Sequence, residues 1–399
     1  MAPAPIYMDN HATTRVDPRV VEAMLPYFSE AYGNAGSVGH PYGDAAREAV
    51  ERSRALIASA INADPTEIVF TSGATESNNL ALRGIAERPR RRGDHLVSVG
   101  TEHKAVLDPL ARLGRRGYEL ALLDVEPHGS PRAGWLDPQR VADAIRDDTA
   151  LVSIMLANNE IGVIQPIREI AAICRERGVT CHCDATQGVG KIPVDVRNLG
   201  VDLMSFSAHK IYGPKGVGGL YVRQSRPAVR LEAQITGGGQ QQGLRSGTLN
   251  VPGIVGFARA LELCVEELPA EVSRLHALRN RLWQLLNEQI DDVELCGPTL
   301  AKSFDPQTSL RLPGNLDVAF GNVDGEALLL AMGNLAVSSG AACSSTDPGP
   351  SHVLLALGMR EDLARSTLRF GLGRFNTPDE VELAAAIVAA AVKRLRNLA

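Results

Sequence analysis

Cysteine is scarce in this chain, with six residues in 399. Cys174, Cys181, Cys183, Cys264, Cys296 and Cys343 are too few to staple a chain of this length, which argues against a secreted disulfide framework and for a reducing cytosol. A long apolar run is also missing. The longest, Leu383 to Val392, falls far short of the roughly 20 residues that span a bilayer and reads as the Ala-rich face of a packed helix, so no membrane partner is expected. Charge of one sign is lacking too: the formal net charge is -5, so no global basic field points to nucleic acid or anionic lipid. Met1 to Asn10 has neither the basic start nor the apolar centre of a secretory signal. No internal repeat is visible. The local basic run Arg88, Arg90, Arg91 and Arg92 beside Pro89 has no aromatic platform and reads as a solvated turn.

What is present is an ordinary globular mix, 44% hydrophobic and 22% charged, long enough for a large core and more than one domain. Short β-rich runs alternate with helical stretches over the first two-thirds. Strands are expected at Glu67 to Thr71, His95 to Val99, Leu120 to Asp124, Leu151 to Met155, Val179 to Asp184, Asp202 to Ser207 and Gly218 to Val222. Helices are expected at Ala45 to Ile61, Glu76 to Glu87, Pro138 to Arg146 (capped by Asp137) and Ile167 to Arg177. Such alternation gives an α/β domain with a largely parallel sheet, whose ligands sit beyond the carboxyl ends of the strands. Val251 to about Ile290 reads as one or two long helices, with Pro269 as the point of interruption. Past Cys296-Gly297-Pro298 the pattern becomes a smaller α+β unit. Its strands are expected at Ser309 to Leu312, Leu316 to Phe320 and Thr367 to Leu372, and a helix at Pro378 to Leu398.

The unusual polar residues follow strand ends. Asp202 to Ser207 runs into Ala208-His209-Lys210 and then Gly213-Pro214-Lys215-Gly216. Burial lowers a lysine's pKa and makes its amine nucleophilic, as a Schiff-base lysine requires. Lys210 is the candidate, against the plainer reading of a surface lysine ending a strand; Lys215 is the weaker one. Val179 to Cys183 ends at Asp184-Ala185-Thr186-Gln187. A carboxylate there suits the pyridine nitrogen of pyridoxal phosphate (PLP), which it keeps protonated so that the ring draws electrons; a helix N-cap is the alternative. Ile68 to Phe70 ends in Thr71-Ser72-Gly73-Ala74-Thr75-Glu76, a helix start whose free N–H groups would take a phosphate. Asn159 can hydrogen-bond a ring oxygen, and His103 can stack on a ring or move protons. A structural role is equally open for both.

Ser338-Ser339-Gly340-Ala341-Ala342-Cys343-Ser344-Ser345 is a small-residue loop, and a thiol there suits chemistry better than packing, although a free surface thiol is the plain alternative. Arg369 lies on an apolar strand. A half-buried arginine usually pairs with a carboxylate, of which a substrate's is one option. Cys181 and Cys183 flank His182, but no second ligand pair accompanies them, and strand alternation puts both thiols on one core face.

With these residues in place, the chain resembles the cysteine desulfurases, the IscS/NifS type of fold-type-I PLP enzyme in the class V aminotransferase family. The likeness runs from Tyr7-Met8-Asp9-Asn10-His11-Ala12-Thr13-Thr14 to Leu368-Arg369-Phe370-Gly371-Leu372-Gly373-Arg374-Phe375. Between them lie Thr71-Ser72-Gly73-Ala74-Thr75-Glu76-Ser77, Thr101-Glu102-His103, Asn158-Asn159-Glu160, Asp184-Ala185-Thr186-Gln187, Ser207-Ala208-His209-Lys210 and Arg245-Ser246-Gly247-Thr248. The resemblance implies an α/β PLP-dependent transferase fold: a mostly parallel seven-stranded sheet flanked by helices, plus a smaller α+β domain. A large PLP-binding domain would cover 15–260. A small domain carrying the cysteine loop would be built from 1–14 and 261–399.

It also implies roles. Lys210 would carry PLP, Asp184 would pair the pyridinium nitrogen, and His103 would stack on the ring and assist proton transfer. Asn159 and Gln187 would contact the ring oxygen. Thr75, Ser207 and His209 would bind the phosphate with the Ala74 and Thr75 backbone, and Thr248 would reach the phosphate of the other subunit of a homodimer. Arg369 and Asn34 would serve the substrate, L-cysteine. Cys343 would attack the substrate sulfur, leaving alanine and a Cys343 persulfide. The loop around Cys343 resembles the long-loop branch, which delivers sulfur to acceptor proteins such as an iron–sulfur scaffold or tRNA-thiolation carriers.

Two departures stand out. The family's Gly-Asn-Pro-Ser turn reads Gly33-Asn34-Ala35-Gly36 here, which loosens a loop near the expected substrate site. The chain also stops at Ala399, where relatives that dock a scaffold often continue into a tail, and this counts against that partner. Two rival readings remain: a selenocysteine lyase or other PLP lyase, and a non-catalytic scaffold on the same fold. The joint presence of Lys210, Asp184 and Cys343 argues against the second.

Overall fold

A computed structural model of the chain describes residues 5–88, 92–225, 227–339 and 349–398. Pro89, Arg90 and Arg91 of the basic run, and Cys343 with most of its loop, lie outside the described residues. Seven strands form the main sheet: β1 (Ile68–Thr71), β2 (His95–Val99), β3 (Glu119–Leu123), β4 (Thr149–Ser153), β5 (Thr180–Asp184), β6 (Leu203–Ser207) and β7 (Gly218–Val222). Their order across the sheet is β1-β7-β6-β5-β4-β2-β3. All neighbours run parallel except β7, which is antiparallel to both β1 and β6.

The strands read as apolar runs because both faces are covered. Successive side chains point to opposite faces. Leu96, Leu151, Leu203 and Leu220 therefore join one core, while Val97, Val152, Met204 and Tyr221 join another. Cys181 and Cys183 fall together in the second of these cores, as strand alternation predicts. The expected strands and helices of this region all form, with ends shifted by at most a few residues. Asp137 caps its helix by accepting from the Gln139 N–H at 2.9 Å. Arg92 of the basic run is not merely solvated: its guanidinium donates to the carbonyls of Asp147 and Arg177.

The smaller sheet contains β8 (Val293–Leu295), β9 (Asn315–Phe320), β10 (Ser338–Ser339) and β11 (Thr367–Gly371) in the order β10-β11-β9-β8. Ser309 to Leu312 is not a strand. It makes one antiparallel bridge, Arg311 to Val163, and its path is set instead by the buried Arg311 guanidinium, which donates to the carbonyls of Pro298 and Cys296. Val251–Gln289 is one continuous helix of 39 residues. Pro269 does not end it. The carbonyl that loses its partner belongs to Val265, and both residues are exposed, so water can satisfy it. The first part of this helix, through Cys264, packs on the main-sheet core. Its second part, Leu275 to Leu286, packs on the core of the smaller sheet together with Ile6 and Met8.

An ion cluster with a largely buried centre, Asp17 and Arg374, and more exposed ends, Arg19 and Glu267, ties these parts together. Arg374, just past β11, reaches Asp17 at 2.8 Å, Glu271 at 3.1 Å and Glu267 at 3.2 Å. Arg19 closes on the same Asp17 carboxylate at 2.7 Å. The Tyr212 hydroxyl donates to Glu271 at 2.9 Å and accepts from the Arg374 N–H at 2.7 Å. The Arg19 and Arg374 guanidiniums hold the Asp17 carboxyl far below the usual carboxylate range, against the opposing effect of burial. A depressed folded pKa gives stability that is present above the unfolded value, about 3.9, and lost as pH falls through the folded one. Asp17→Ala should cost about 3 kcal/mol at pH 7 in urea unfolding, with the gap to the parent chain narrowing below pH ~4. Equal stability of the two chains at pH 7 would contradict this role.

Candidate active site

Beyond the carboxyl ends of the parallel strands lies a cavity of about 610 Å³. Lys210, Asp184, His103, Thr75, Ala74, Asn159, Gln187, Ser207, His209 and Arg369 all line it. They come from the exits of β1, β2, β4, β5 and β6, with Arg369 added from β11 of the smaller sheet.

Lys210 closes a short 3-10 turn, Ala208–Lys210, directly after β6. Its Nζ donates to the carbonyl oxygens of His11 at 2.6 Å and Ala12 at 2.7 Å. Asp184 is the last residue of β5 and is buried. It accepts from Asn78 Nδ2 at 2.7 Å and from the Thr186 N–H at 3.0 Å. It does not cap a helix, because the chain turns there.

The anion turn sits at the start of the helix Ala74–Ala86, which has no side-chain cap. Gly73 before it has φ of 154°, a conformation that favours glycine. A Cβ on Gly218 of β7 would lie 2.7 Å from the Gly73 Cα, so the turn packs against the strand because Gly218 has no side chain. Glu76 holds the turn in shape. It accepts from the Ser72 N–H at 2.8 Å and pairs with Arg245 at 2.8 Å, tying the turn to the segment that carries Thr248. Among the described residues, the buried Ser207 Oγ and Thr186 Oγ1 have no hydrogen-bond partner. Both line the cavity that the helix start opens into, and an unpartnered hydroxyl there can donate to a phosphate.

His103 caps the helix Lys104–Gly114, with Nδ1 accepting from the Ala105 N–H at 3.0 Å. That bond makes Nε2 the protonated nitrogen of the neutral ring. Desolvation lowers its pKa; Asp184 opposes this and Lys210 adds to it. His209 is brought down to about 4 by burial and by Lys210, Lys215 and Lys191. Both rings are therefore neutral near pH 7. Glu102, beside His103, is fully buried, and its Oε1 accepts from the Met155 N–H at 2.5 Å. Burial and the nearby Asp184 push its pKa well above the carboxylate range.

Arg369 on β11 is buried rather than half-buried, and its carboxylate partner is Asp9 at 2.9 Å. Its guanidinium also donates to Ser338 Oγ at 3.1 Å and to the Asn159 carbonyl at 3.0 Å. Two residues from the sequence reading fall outside this cavity. Asn34 lines a separate depression of about 330 Å³ with Arg54 and Gln241, where its side chain accepts from the Gly36 N–H at 2.9 Å. Thr248 is exposed and does not line its own chain's cavity.

Sequence reasoning passed over Asn78, His11, Lys191 and Asp317. Asn78 carried a readable signal, an amide on the same helix face as Leu82 and Ile85, which are apolar. Asp317 did too, a carboxylate inside the apolar strand Asn315–Phe320. Asp317 stands opposite Arg369 in the β9–β11 register, and neither of its buried oxygens has a hydrogen-bond partner among the described residues. Burial first, then Glu160, push its pKa up to about 8, against Arg369 and Arg311. Between pH ~4 and 8 the native state therefore binds more protons here than the unfolded chain, and this group's contribution falls as pH rises through that window. Asp317→Asn should be more stable than the parent at pH 9 by on the order of 1–3 kcal/mol, with the difference shrinking toward pH 5. Denaturant unfolding at both pH values reads this directly, and a constant difference would contradict it.

The chain matches the model of the aminotransferase class-V family over residues 6–383. It is 54% identical over 394 residues to "Cysteine desulfurase IscS" of Anaeromyxobacter dehalogenans (strain 2CP-C), covering 99% of this chain and 94% of that protein. A solved structure titled "NIFS-LIKE PROTEIN" superposes with a TM-score of 0.88 at 37% identity, covering 98% of this chain and 100% of that one. Another, "SspA in complex with cysteine", gives a TM-score of 0.78 at 35% identity, covering 93% and 100%.

Proposed function

We propose that this chain, which belongs to the class-V aminotransferase family, is a PLP-dependent cysteine desulfurase that converts L-cysteine to L-alanine and leaves the sulfur as a persulfide on Cys343. The observation that carries this reading is the gathering of Lys210, Asp184 and the anion turn around one cavity.

The donor set fits PLP. Lys210 supplies the amine for its aldehyde, Asp184 a carboxylate for its ring nitrogen, and the Ala74–Thr75 backbone with Thr75, Ser207 and His209 a cradle for its phosphate. When bound, PLP supplies an electrophilic carbon for the substrate amine and a ring that draws electrons from the substrate carbons. The chain's own residues do the rest. Asn78 and the Thr186 N–H fix the Asp184 carboxylate in place. The backbone carbonyls of His11 and Ala12 orient the Lys210 amine. Neutral His103 presents its Nε2–H as a proton source beside Asp184 and Lys210. Arg369, steadied by Asp9 and Ser338, takes the substrate carboxylate.

Cys343 lies outside the described residues, and its role rests on the sequence resemblance. The described strand Ser338–Ser339 ends four residues before it in sequence and pairs with β11 beside Arg369. The Cys343 thiolate takes the sulfur from the substrate Cβ. The electron pair of the broken C–S bond stays with the carbon skeleton, which takes up a proton and leaves as alanine. The persulfide then passes to an acceptor protein for iron–sulfur cluster assembly, with tRNA thiolation as a second destination.

The working form is a homodimer. Leu25, Phe28, Tyr32, Val38 and Tyr42 are each more than half exposed on one N-terminal stretch, an apolar surface suited to a second copy. Thr248, exposed and turned out of its own cavity's lining, then serves the partner's phosphate site. Among the described residues no helix is long and apolar enough to cross a membrane. The five described cysteines are free thiols, which suits the cytoplasm.

Purified protein should be yellow, and borohydride should fix PLP to Lys210. It should release alanine from L-cysteine, and Cys343→Ser should keep the colour while losing turnover. Full alanine production by Cys343→Ser would rule out the persulfide route and favour a lyase.

A further inference from the structure

Gln187 is held by Lys191 and His11. Its Oε1 accepts from Lys191 Nζ at 2.5 Å and lies 3.1 Å from His11 Nδ1. Its Nε2 donates to the His11 backbone carbonyl at 2.9 Å. That same carbonyl accepts from Lys210 at 2.6 Å. Lys191 stands four residues after Gln187 in the same turn segment, and the chain reaches it through Gly190, whose φ is 72° and where a Cβ would lie 2.8 Å from Ile211 Cγ2.

The two ends of a side-chain amide are alike in shape, so only hydrogen-bond partners decide which way it faces. An ammonium only donates, so it demands the amide oxygen. A backbone carbonyl only accepts, so it demands the nitrogen. Lys191 and the His11 carbonyl agree on one orientation, and a flipped amide would set donor against donor and acceptor against acceptor. The nitrogen carries two hydrogens, and the His11 carbonyl takes one. The other is what Gln187 can offer to the cavity it lines.

We propose that Lys191 and His11 are positioning residues that lock Gln187 as a hydrogen-bond donor, never an acceptor, toward the anionic ring oxygen of PLP. The inference rests on the PLP reading above. Burial, with Lys210 and Arg369 nearby, brings the Lys191 pKa down to about 7. The amine keeps N–H donors when it loses a proton, and the His11 carbonyl still demands the amide nitrogen, so the lock survives at higher pH. Burial, then Lys191 and Arg369, hold the His11 pKa well below the usual histidine value, which keeps the ring neutral.

The test is a pH titration of the visible absorbance of the PLP-loaded, full-length protein. Loss of a donor and of a nearby cation both favour protonation of the cofactor chromophore. Lys191→Met should therefore raise the titration midpoint by about one pH unit, and Lys191→Arg, which keeps a donor, should hold it near the parent value. In a Gln187→Ala background the same Lys191→Met change should move the midpoint by less than half as much. Lys191→Leu replaces Lys191→Met if the latter does not fold. An unchanged midpoint would overturn the proposal. So would an equal shift in both backgrounds, since Lys191 would then act by charge alone and not through Gln187. A parent protein that binds no PLP would instead overturn the function proposed above.

Discussion

Strands Thr180–Asp184 and Leu203–Ser207 lie side by side at the centre of a sheet covered on both faces, and nearly every one of their residues is buried. A charge within them would be lost to the apolar cores. Charge is affordable only where the sheet ends, and there it is concentrated: Asp184 closes one strand, and Lys210 follows the next by three residues. The opposite signs, with the buried Ser207 and Thr186 hydroxyls, make the cavity polar. The rest of the architecture serves to hold this edge still.

That holding is done by segments distant in sequence. The His11 and Ala12 carbonyls orient Lys210 from almost 200 residues away. Asn78 reaches Asp184 across 106 residues, and Asp9 meets Arg369 across 360. Asp9, His11 and Ala12 belong to one N-terminal segment that touches both sheets. Asp17, a few residues on, is bound by Arg374 from beyond β11. The N-terminal segment thus acts as the strap between the lysine end and the arginine end of the cavity, and the long helix Val251–Gln289 braces both cores behind it.

Much of this was legible in the sequence, and the pattern of what was not has a physical basis. The main-sheet strands were readable because apolar runs bounded by turn residues are a local signal. The strand-end positions of Lys210, Asp184, His103 and Asn159 followed from the same signal plus the rule for open sheets. Ser309 to Leu312 misled because β-prone residues make a strand only where a neighbour is available, and none but Val163 is. Pro269 left one helix or two open, and one forms because a missing N–H is tolerated on a solvent-facing side of a helix. Arg369 was recognised as needing a carboxylate, but its partner came from the other end of the chain. His11 and Lys191 gave no local signal at all; their effect on Gln187 exists only once three segments meet.

The central claim is that sulfur leaves L-cysteine at a Lys210-bound cofactor and arrives on Cys343. The most direct measurement is a single-turnover reaction with L-cysteine, followed by alkylation, digestion and mass mapping of all six cysteines. The account predicts one added sulfur atom on the Cys343 peptide, absent from that peptide in Lys210→Ala. Alanine formed in one turnover with the added sulfur on another cysteine, or on none, would contradict it.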